Sequence, residues 1–291
     1  MPQPQNIIGI VYDFDNTLSP HAMQEDTILP YLELQSENFW KRVNDLVQQK
    51  FYQSELAWMR LLLEEDAFRK LSNADLRNMG LTLTYFPGVP QVFPEISKLL
   101  DSLNFLGDSV TIEHYVVTSG LREILEGSNI KPYMKAIFGS EFDENQNNEL
   151  AFPKRAIGHT EKTQYLFRIN KGYLDLHTDV NDHVEEEDRR IPFENMIYIG
   201  DGPTDVPCFA VMSEYGGRSI AVYNPENPNS FDSAMQLHKA HRVEQLSEAD
   251  YRGGSQLRRT LEYMIREIGQ QIIETQRIKA EAKIIPAPRH I

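Results

Sequence analysis

Cysteine is almost absent: Cys208 is the single one in 291 residues. No disulfide can form within the chain and no cysteine-based metal site is available, a usage that fits a reducing compartment. Long apolar runs are missing as well. None comes near the ~18 residues that a membrane span needs. The first residues, MPQPQNIIGIVYDFD, place no basic segment ahead of an apolar one. A secretory signal is therefore not expected, and a cytoplasmic location is. Basic residues are scarce: 29 Lys and Arg stand against 43 Asp and Glu, for a net charge of −14. That balance argues against nucleic acid or an acidic membrane surface as a partner. A small phosphorylated ligand stays compatible with it, because a bound metal can dominate the field of one pocket. There is no internal repeat and no low-complexity tract.

What is present suffices for a core. Hydrophobic residues make up 41% and aromatic residues 10% of the chain, enough for one large domain or one domain with an insertion. Residues 7–14, IIGIVYDF, read as a strand buried on both faces of a parallel sheet. Helical spacing then takes over between 21 and 84: Phe39, Val43, Leu46 and Val47, followed by Leu56, Met59, Leu62 and Leu63. Ser36 and Ser54 are the expected N-caps there. After the turn YFPGVP, a helix is expected to run to Gly107. Strands and helices then alternate: VTIEHYVVTSG, LREILEG, the short strand MKAIFGSEF, a helix over 160–170, the strand MIYIGDG and a last strand SIAVYN. This alternation predicts βαβ units, hence a doubly wound, Rossmann-like α/β parallel sheet with an inserted helical cap. The expected divisions are a core of 1–20 and 85–235, a helical insertion of 21–84, and a C-terminal helical extension of 236–291. Within that extension Leu257, Leu261, Met264, Ile268 and Ile272 form an amphipathic stripe, expected to pack on the body. The tail IIPAPRHI is expected to be poorly ordered. The polar stretch 175–190 holds His177, Asp179, Asp182 and His183; without helical i, i+4 histidine pairing it reads as a solvated insertion rather than a metal site.

Ligands in doubly wound sheets bind at the carboxyl ends of the strands, and those ends carry the reactive side chains here. The first strand ends in Asp13, Asp15 and Thr17; a later one in Thr118, Ser119 and Gly120; MIYIG ends in Asp201, with Asp205 four residues on. Each piece alone has an ordinary explanation as a turn or helix cap. Asp13 and Asp15 together are harder to explain that way. At an effective dielectric near 20, two unit charges ~4 Å apart repel by about 4 kcal/mol. A hard divalent cation reverses that sign.

In this order and beside a helical insertion, these residues resemble the haloacid dehalogenase-like (HAD) superfamily of hydrolases, most of them phosphatases. Asp13, Asp15 and Thr17 in DFDNT match its first motif, Thr118 its second, and Asp201 with Asp205 in GDGPTD its fourth. The resemblance covers about residues 7–225. Its third motif is a lone lysine, for which Lys154, Lys162 and Lys171 are candidates. Lys162 is preferred, because it opens the helical stretch TEKTQYLFRI, where the family's lysine usually lies.

The resemblance implies a magnesium-dependent phosphomonoester hydrolase working through an aspartyl-phosphate. Asp13 would be the nucleophile and Asp15 the general acid and base. Asp13, Asp15 through its backbone carbonyl, and Asp201 would hold Mg2+, and Asp205 would orient that shell or the lysine. Thr118, Ser119 and Lys162 would bind the substrate phosphate, and Thr17 would fix the loop and the Asp15 side chain. The expected partner is a small phosphorylated metabolite, with the chain a monomer or homodimer. The helical insertion resembles the family's cap and so is the expected seat of specificity, with Trp40, Arg42, Trp58 and Arg60 as candidates. A phosphotransferase or phosphomutase using the same chemistry, and a catalytically idle phosphate-binding module, are the alternatives.

Overall fold

Nothing in Ile7–Tyr12 (β1) is charged, and five of its six residues are buried. A computed structural model, which describes residues 5–102 and 110–284, sets this strand at the centre of a seven-stranded sheet of order β4-β3-β2-β1-β5-β6-β7. The other strands are Thr111–Leu121 (β2), Met134–Glu144 (β3), Leu150–Arg155 (β4), Met196–Gly200 (β5), Arg218–Tyr223 (β6) and Gln245–Glu248 (β7). Every pairing is parallel except β3 with β4. Alternation along β1 builds both layers. Ile8, Ile10 and Tyr12 join one cluster, and Val11 joins another with Tyr115, Val117, Tyr165 and Tyr198.

Six helices follow β1 within the insertion: Met23–Asp26 (α1), Ile28–Tyr31 (α2), Ser36–Lys50 (α3), Ser54–Glu64 (α4), Asp66–Arg69 (α5) and Asn73–Met79 (α6). They dock on the β3–β4 hairpin, where Phe68 meets Phe142 edge-on with ring centroids 5.3 Å apart. Leu150 N–H also donates to the Leu71 carbonyl at 2.8 Å. The remaining helices are Val92–Ser102 (α7), Arg122–Glu126 (α8), Glu161–Lys171 (α9), Val206–Glu214 (α10), Pro228–Lys239 (α11) and Gln256–Ile284 (α12). On α12, Leu257, Leu261, Met264, Ile268 and Ile272 are buried in the same cluster as Ile8 and Ile10. Fully burying each such side chain is worth about 1.5–3 kcal/mol, so this helix is part of the sheet's cover.

Several local expectations are corrected. Ser36 and Ser54 are the first helical residues rather than the caps; Gln35 and Gln53 occupy the extended cap positions without a side-chain bond. The Ser36 hydroxyl is drawn instead to Glu25. The strand beginning at Met134 is eleven residues long and folds back into β4. That edge strand carries Pro153, tolerable there because an edge leaves some N–H groups without a ladder partner. Residues 236–291 are not purely helical, since β7 extends the sheet beyond β6. The 175–190 stretch is held through its backbone carbonyls: Arg168 donates to those of Asp175 and Thr178, and Lys171 to those of Val180 and Asp182. Gly107, the expected end of α7, lies outside the described residues, as do residues 285–291.

Candidate active site

The register of β1 decides where its carboxylates land. Tyr12 pairs with Ile199 of β5, and Asp13 N–H donates to the Ile199 carbonyl at 2.9 Å. Asp13 therefore leaves β1 where Gly200 and Asp201 leave β5. Carboxylate oxygens of Asp13, Asp201 and Asp205 all lie within 4.8 Å of one another. Gly200 makes this possible, since a Cβ there would run into the Asp205 carboxylate.

Lys162, in the first turn of α9, neutralises part of this charge. Its Nζ is 2.8 Å from Asp13 Oδ2 and 2.8 Å from Asp205 Oδ1, and the side chain is 1% exposed. Burial alone would lower the lysine's pKa, but the charges of Asp13 and Asp205 override it and hold the ammonium firmly protonated. Asp205 is fully buried. It accepts further hydrogen bonds from Tyr198 Oη at 2.7 Å, Asp201 N–H at 3.1 Å and Gly202 N–H at 3.4 Å, so one carboxylate shapes the GDGPTD loop and holds the lysine. Lys154 is surface-placed, 3.9 Å from Glu141, and Lys171 sits at the far end of α9 on the carbonyls described above.

The other carboxylates carry the imbalance. Burial, only partly offset by Lys162, pushes Asp13 up to about 6. Burial and the Asp13 charge push Asp15 up to about 7. Burial and the neighbouring Asp205 and Asp13 charges raise Asp201 well above the usual carboxylate range. The Asp15 carboxylate accepts Met23 N–H at 2.8 Å, and it is Asp205 rather than Asp15 that joins Asp13 and Asp201 in the cluster. A largely buried, mutually repelling, all-oxygen donor set fits a small hard cation such as magnesium.

These groups open into a cavity of about 260 Å³ that Asp13, Asp15, Lys162 and Asp201 share with Ser119 and Gly120 at the end of the β2 apolar run. Thr118 is not in its lining; its Oγ1 accepts the Gly120 N–H at 3.0 Å. The Ser119 Oγ is buried with no partner among the described residues. The Thr17 hydroxyl likewise makes no bond there, to Asp15 or to any other group, while the Thr17 carbonyl accepts Tyr251 Oη at 2.8 Å. Trp40 and Trp58 line the cavity from α3 and α4. Arg42 and Arg60 instead pair with Glu64 on the outer surface. Sequence reasoning missed Gln24, Ser54, Glu55 and His159, which also line the cavity. The i, i+3 spacing of Glu55 to Trp58, which puts both on one face of α4, was the available signal.

Comparison with known proteins sets this arrangement in a family. No family model matches the chain. A HAD-family hydrolase from Salmonella enterica subsp. enterica serovar Typhi superposes with a TM-score of 0.54 at 16% identity, covering 84% of this chain and 68% of the other. A phosphoserine phosphatase with substrate bound gives 0.54 at 15% identity over 88% of this chain and 97% of the other. A phosphoserine phosphatase holding a phospho-aspartyl intermediate analogue gives 0.52 at 15% identity over 89% and 99%. In sequence, an uncharacterized protein of Borreliella burgdorferi is 31% identical over 283 residues, covering 88% of this chain and 96% of that protein. The chain belongs to the same protein family as the Borreliella burgdorferi protein, and its fold is that of the HAD-like superfamily.

Proposed function

We propose that this protein is a phosphomonoester hydrolase that uses magnesium and an aspartyl-phosphate on Asp13, with a small phosphorylated metabolite as substrate. The observation that carries the reading is the buried Lys162 ammonium bridging Asp13 and Asp205 at 2.8 Å each. A carboxylate that attacks phosphate is an anion meeting an anion. Fixed positive charge beside it is the main resource phosphoryl transfer draws on.

In the proposed reaction an Asp13 oxygen forms a bond to phosphorus while the bond from phosphorus to the ester oxygen breaks. The departing alkoxide takes the proton of Asp15. Asp15 then takes a proton from water, whose oxygen attacks phosphorus, and the Asp13–phosphorus bond breaks to release inorganic phosphate. A single carboxyl beside the leaving oxygen can give the proton in the first step and take one in the second. Ser119, which lines the cavity and whose buried hydroxyl has no partner among the described residues, binds phosphate oxygens with Lys162. Asp13, Asp201 and the backbone carbonyl of Asp15 would hold magnesium, with Asp205 orienting them; the bound ion would supply positive charge against the phosphate. Residues 21–84 serve as the cap over the site, with 1–20 and 85–235 as the core, and the cavity of about 260 Å³ limits the substrate to a small one.

A screen of phosphorylated small molecules with magnesium, run on the parent and on Asp13→Asn, tests this. The parent releases phosphate and the variant does not. No release by the parent from any ester overturns the reading; so does a variant within about tenfold of the parent, roughly 1.4 kcal/mol of barrier.

A further inference from the structure

The wall of the cavity contributed by the helices carries a second set of groups that the phosphoryl chemistry does not use. Glu55 is 5% exposed, and no hydrogen bond or ion pair reaches its carboxylate among the described residues. A nearly buried carboxylate without a partner is costly unless something else supplies one. Gln24 is 2% exposed, and its Oε1 is buried with no hydrogen-bond partner among the described residues. Both residues line the cavity together with the indoles of Trp40 and Trp58. Trp40 is fixed in place, its Nε1 donating to Glu25 at 2.7 Å. Among the described residues, Lys162 is the one lysine or arginine in the lining, and it is already committed to Asp13 and Asp205.

The chemistry of this wall is one-sided. It offers a carboxylate, an amide and two indoles; beside it the lining holds the His159 imidazole and, among the described residues, no uncommitted lysine or arginine to meet a second anion. Ammonium groups are recognised by that combination, through the charge of the carboxylate and the quadrupole of the indoles. We propose that the substrate is the phosphomonoester of a short amino alcohol: its phosphate sits at Asp13 and Ser119, its ammonium against Glu55, Gln24, Trp40 and Trp58. This rests on the phosphatase reading and specifies its substrate class. A substrate carrying a carboxylate besides its phosphate would place a second ligand anion in a site whose one lysine is already taken.

The test compares O-phosphoethanolamine, phosphocholine, O-phosphoserine, glycerol 3-phosphate and ethyl phosphate as substrates of the parent and of Glu55→Gln, with magnesium present. The parent turns over one or both of the ammonium esters without a carboxylate at least about tenfold better, in kcat/KM, than ethyl phosphate, glycerol 3-phosphate or O-phosphoserine. Glu55→Gln lowers the ratio of the preferred ammonium ester to ethyl phosphate by about tenfold or more. Within that pair, preference for O-phosphoethanolamine assigns the Gln24 oxygen to an N–H of the ligand; preference for phosphocholine assigns recognition to the rings and the carboxylate. Equal turnover of ethyl phosphate, or the same ratio in the variant, overturns the proposal. Calorimetric titration of Asp13→Asn with O-phosphoethanolamine and with ethyl phosphate separates the two readings. If no ester is hydrolysed, the phosphatase reading fails. Tighter binding of the ammonium ester then still supports the subsite, and equal binding overturns it.

Discussion

Replacing Lys162 with Met removes the ammonium and keeps most of the side chain's volume. Both of the lysine's ion pairs, each 2.8 Å long, disappear with the charge. At an effective dielectric near 20, one unit charge pair at that separation is worth about 6 kcal/mol before desolvation is counted. Removing one partner of a buried ion pair costs about 3–5 kcal/mol net, because the other partner stays buried and unpaired. Here two carboxylates are stranded, although Asp205 retains three other donors. The expected drop in melting temperature is therefore on the order of 10 °C. The pH dependence has a definite sign. Burial already pushes Asp13 up to about 6, and loss of the lysine raises it further. A carboxylate whose folded pKa lies above its unfolded value binds more protons when folded, so it loses stability as pH rises between the two values. The variant's deficit should thus be smaller at pH 5 than at pH 8. Thermal unfolding of the parent, Lys162→Met and Lys154→Met at both pH values, in chelator, gives the numbers, with turnover measured in parallel at saturating magnesium. Lys154→Met should melt with the parent, since Lys154 is more than half exposed. Turnover of Lys162→Met should fall about a hundredfold or more. If Lys162→Met melts within about 2 °C of the parent at pH 8, or its deficit is the same at both pH values, the charge accounting of the site is wrong.

Three other outcomes follow from the same structure. Burial lowers His114 to about 4, and its Nε2 has no partner among the described residues; the contribution of this neutral imidazole is complete above about pH 6.5, is lost as pH falls through about 4, and amounts to about 3 kcal/mol. Urea titrations at pH 7 and pH 4.5 should show a smaller acid loss in His114→Leu than in the parent, and equal losses would refute this. Tyr251→Phe removes the hydroxyl that holds the Thr17 carbonyl; it should cost about 1–3 kcal/mol and lower kcat more than it raises KM, which steady-state kinetics on an ester of known turnover will read. Exhaustive chelation should abolish phosphate release, and magnesium added to the metal-free protein should raise its melting temperature by relieving the carboxylate cluster; undiminished turnover after chelation would refute the metal requirement.

The sheet was legible because its central strands are near-continuous apolar runs, IIGIVY and MIYIG, the pattern of strands covered on both faces of a parallel sheet, and they alternate with helical segments. The elements that escaped notice lack that signature. Leu150–Arg155 carries a proline and two cations, and Gln245–Glu248 has one apolar side chain in four; both are edge strands, defined by their neighbours rather than by their own pattern. The strand-end carboxylates could be read because a two-residue and a four-residue spacing survive folding unchanged. Which of Thr118 and Ser119 lines the cavity could not be read, because that depends on the irregular register of β2 against β3 between Val117 and Leu121. Glu55 and Gln24 were missed for a related reason. Each looks like an ordinary surface residue of a helix, and only the docking of that helix over the strand ends makes it a wall of the site.

The charge count of the site explains why two carboxylates can end one strand with a single residue between them. Asp13, Asp15, Asp201 and Asp205 face one buried ammonium, Lys162. Fully ionised, the group would carry an excess of three negative charges in a place largely closed to water. The protein relieves this only in part, and the raised pKa values of Asp13, Asp15 and Asp201 are what is left over. A phosphate ester entering such a site would add to the excess. The arrangement therefore favours a cation before it favours a phosphate. Hydrophobic burial of β1 and β5 on both faces keeps the carboxylates together in the meantime. The repulsion stored at the strand ends is held by a core that does not itself take part in the chemistry, and a hard divalent ion is the ligand whose binding gains most from releasing it.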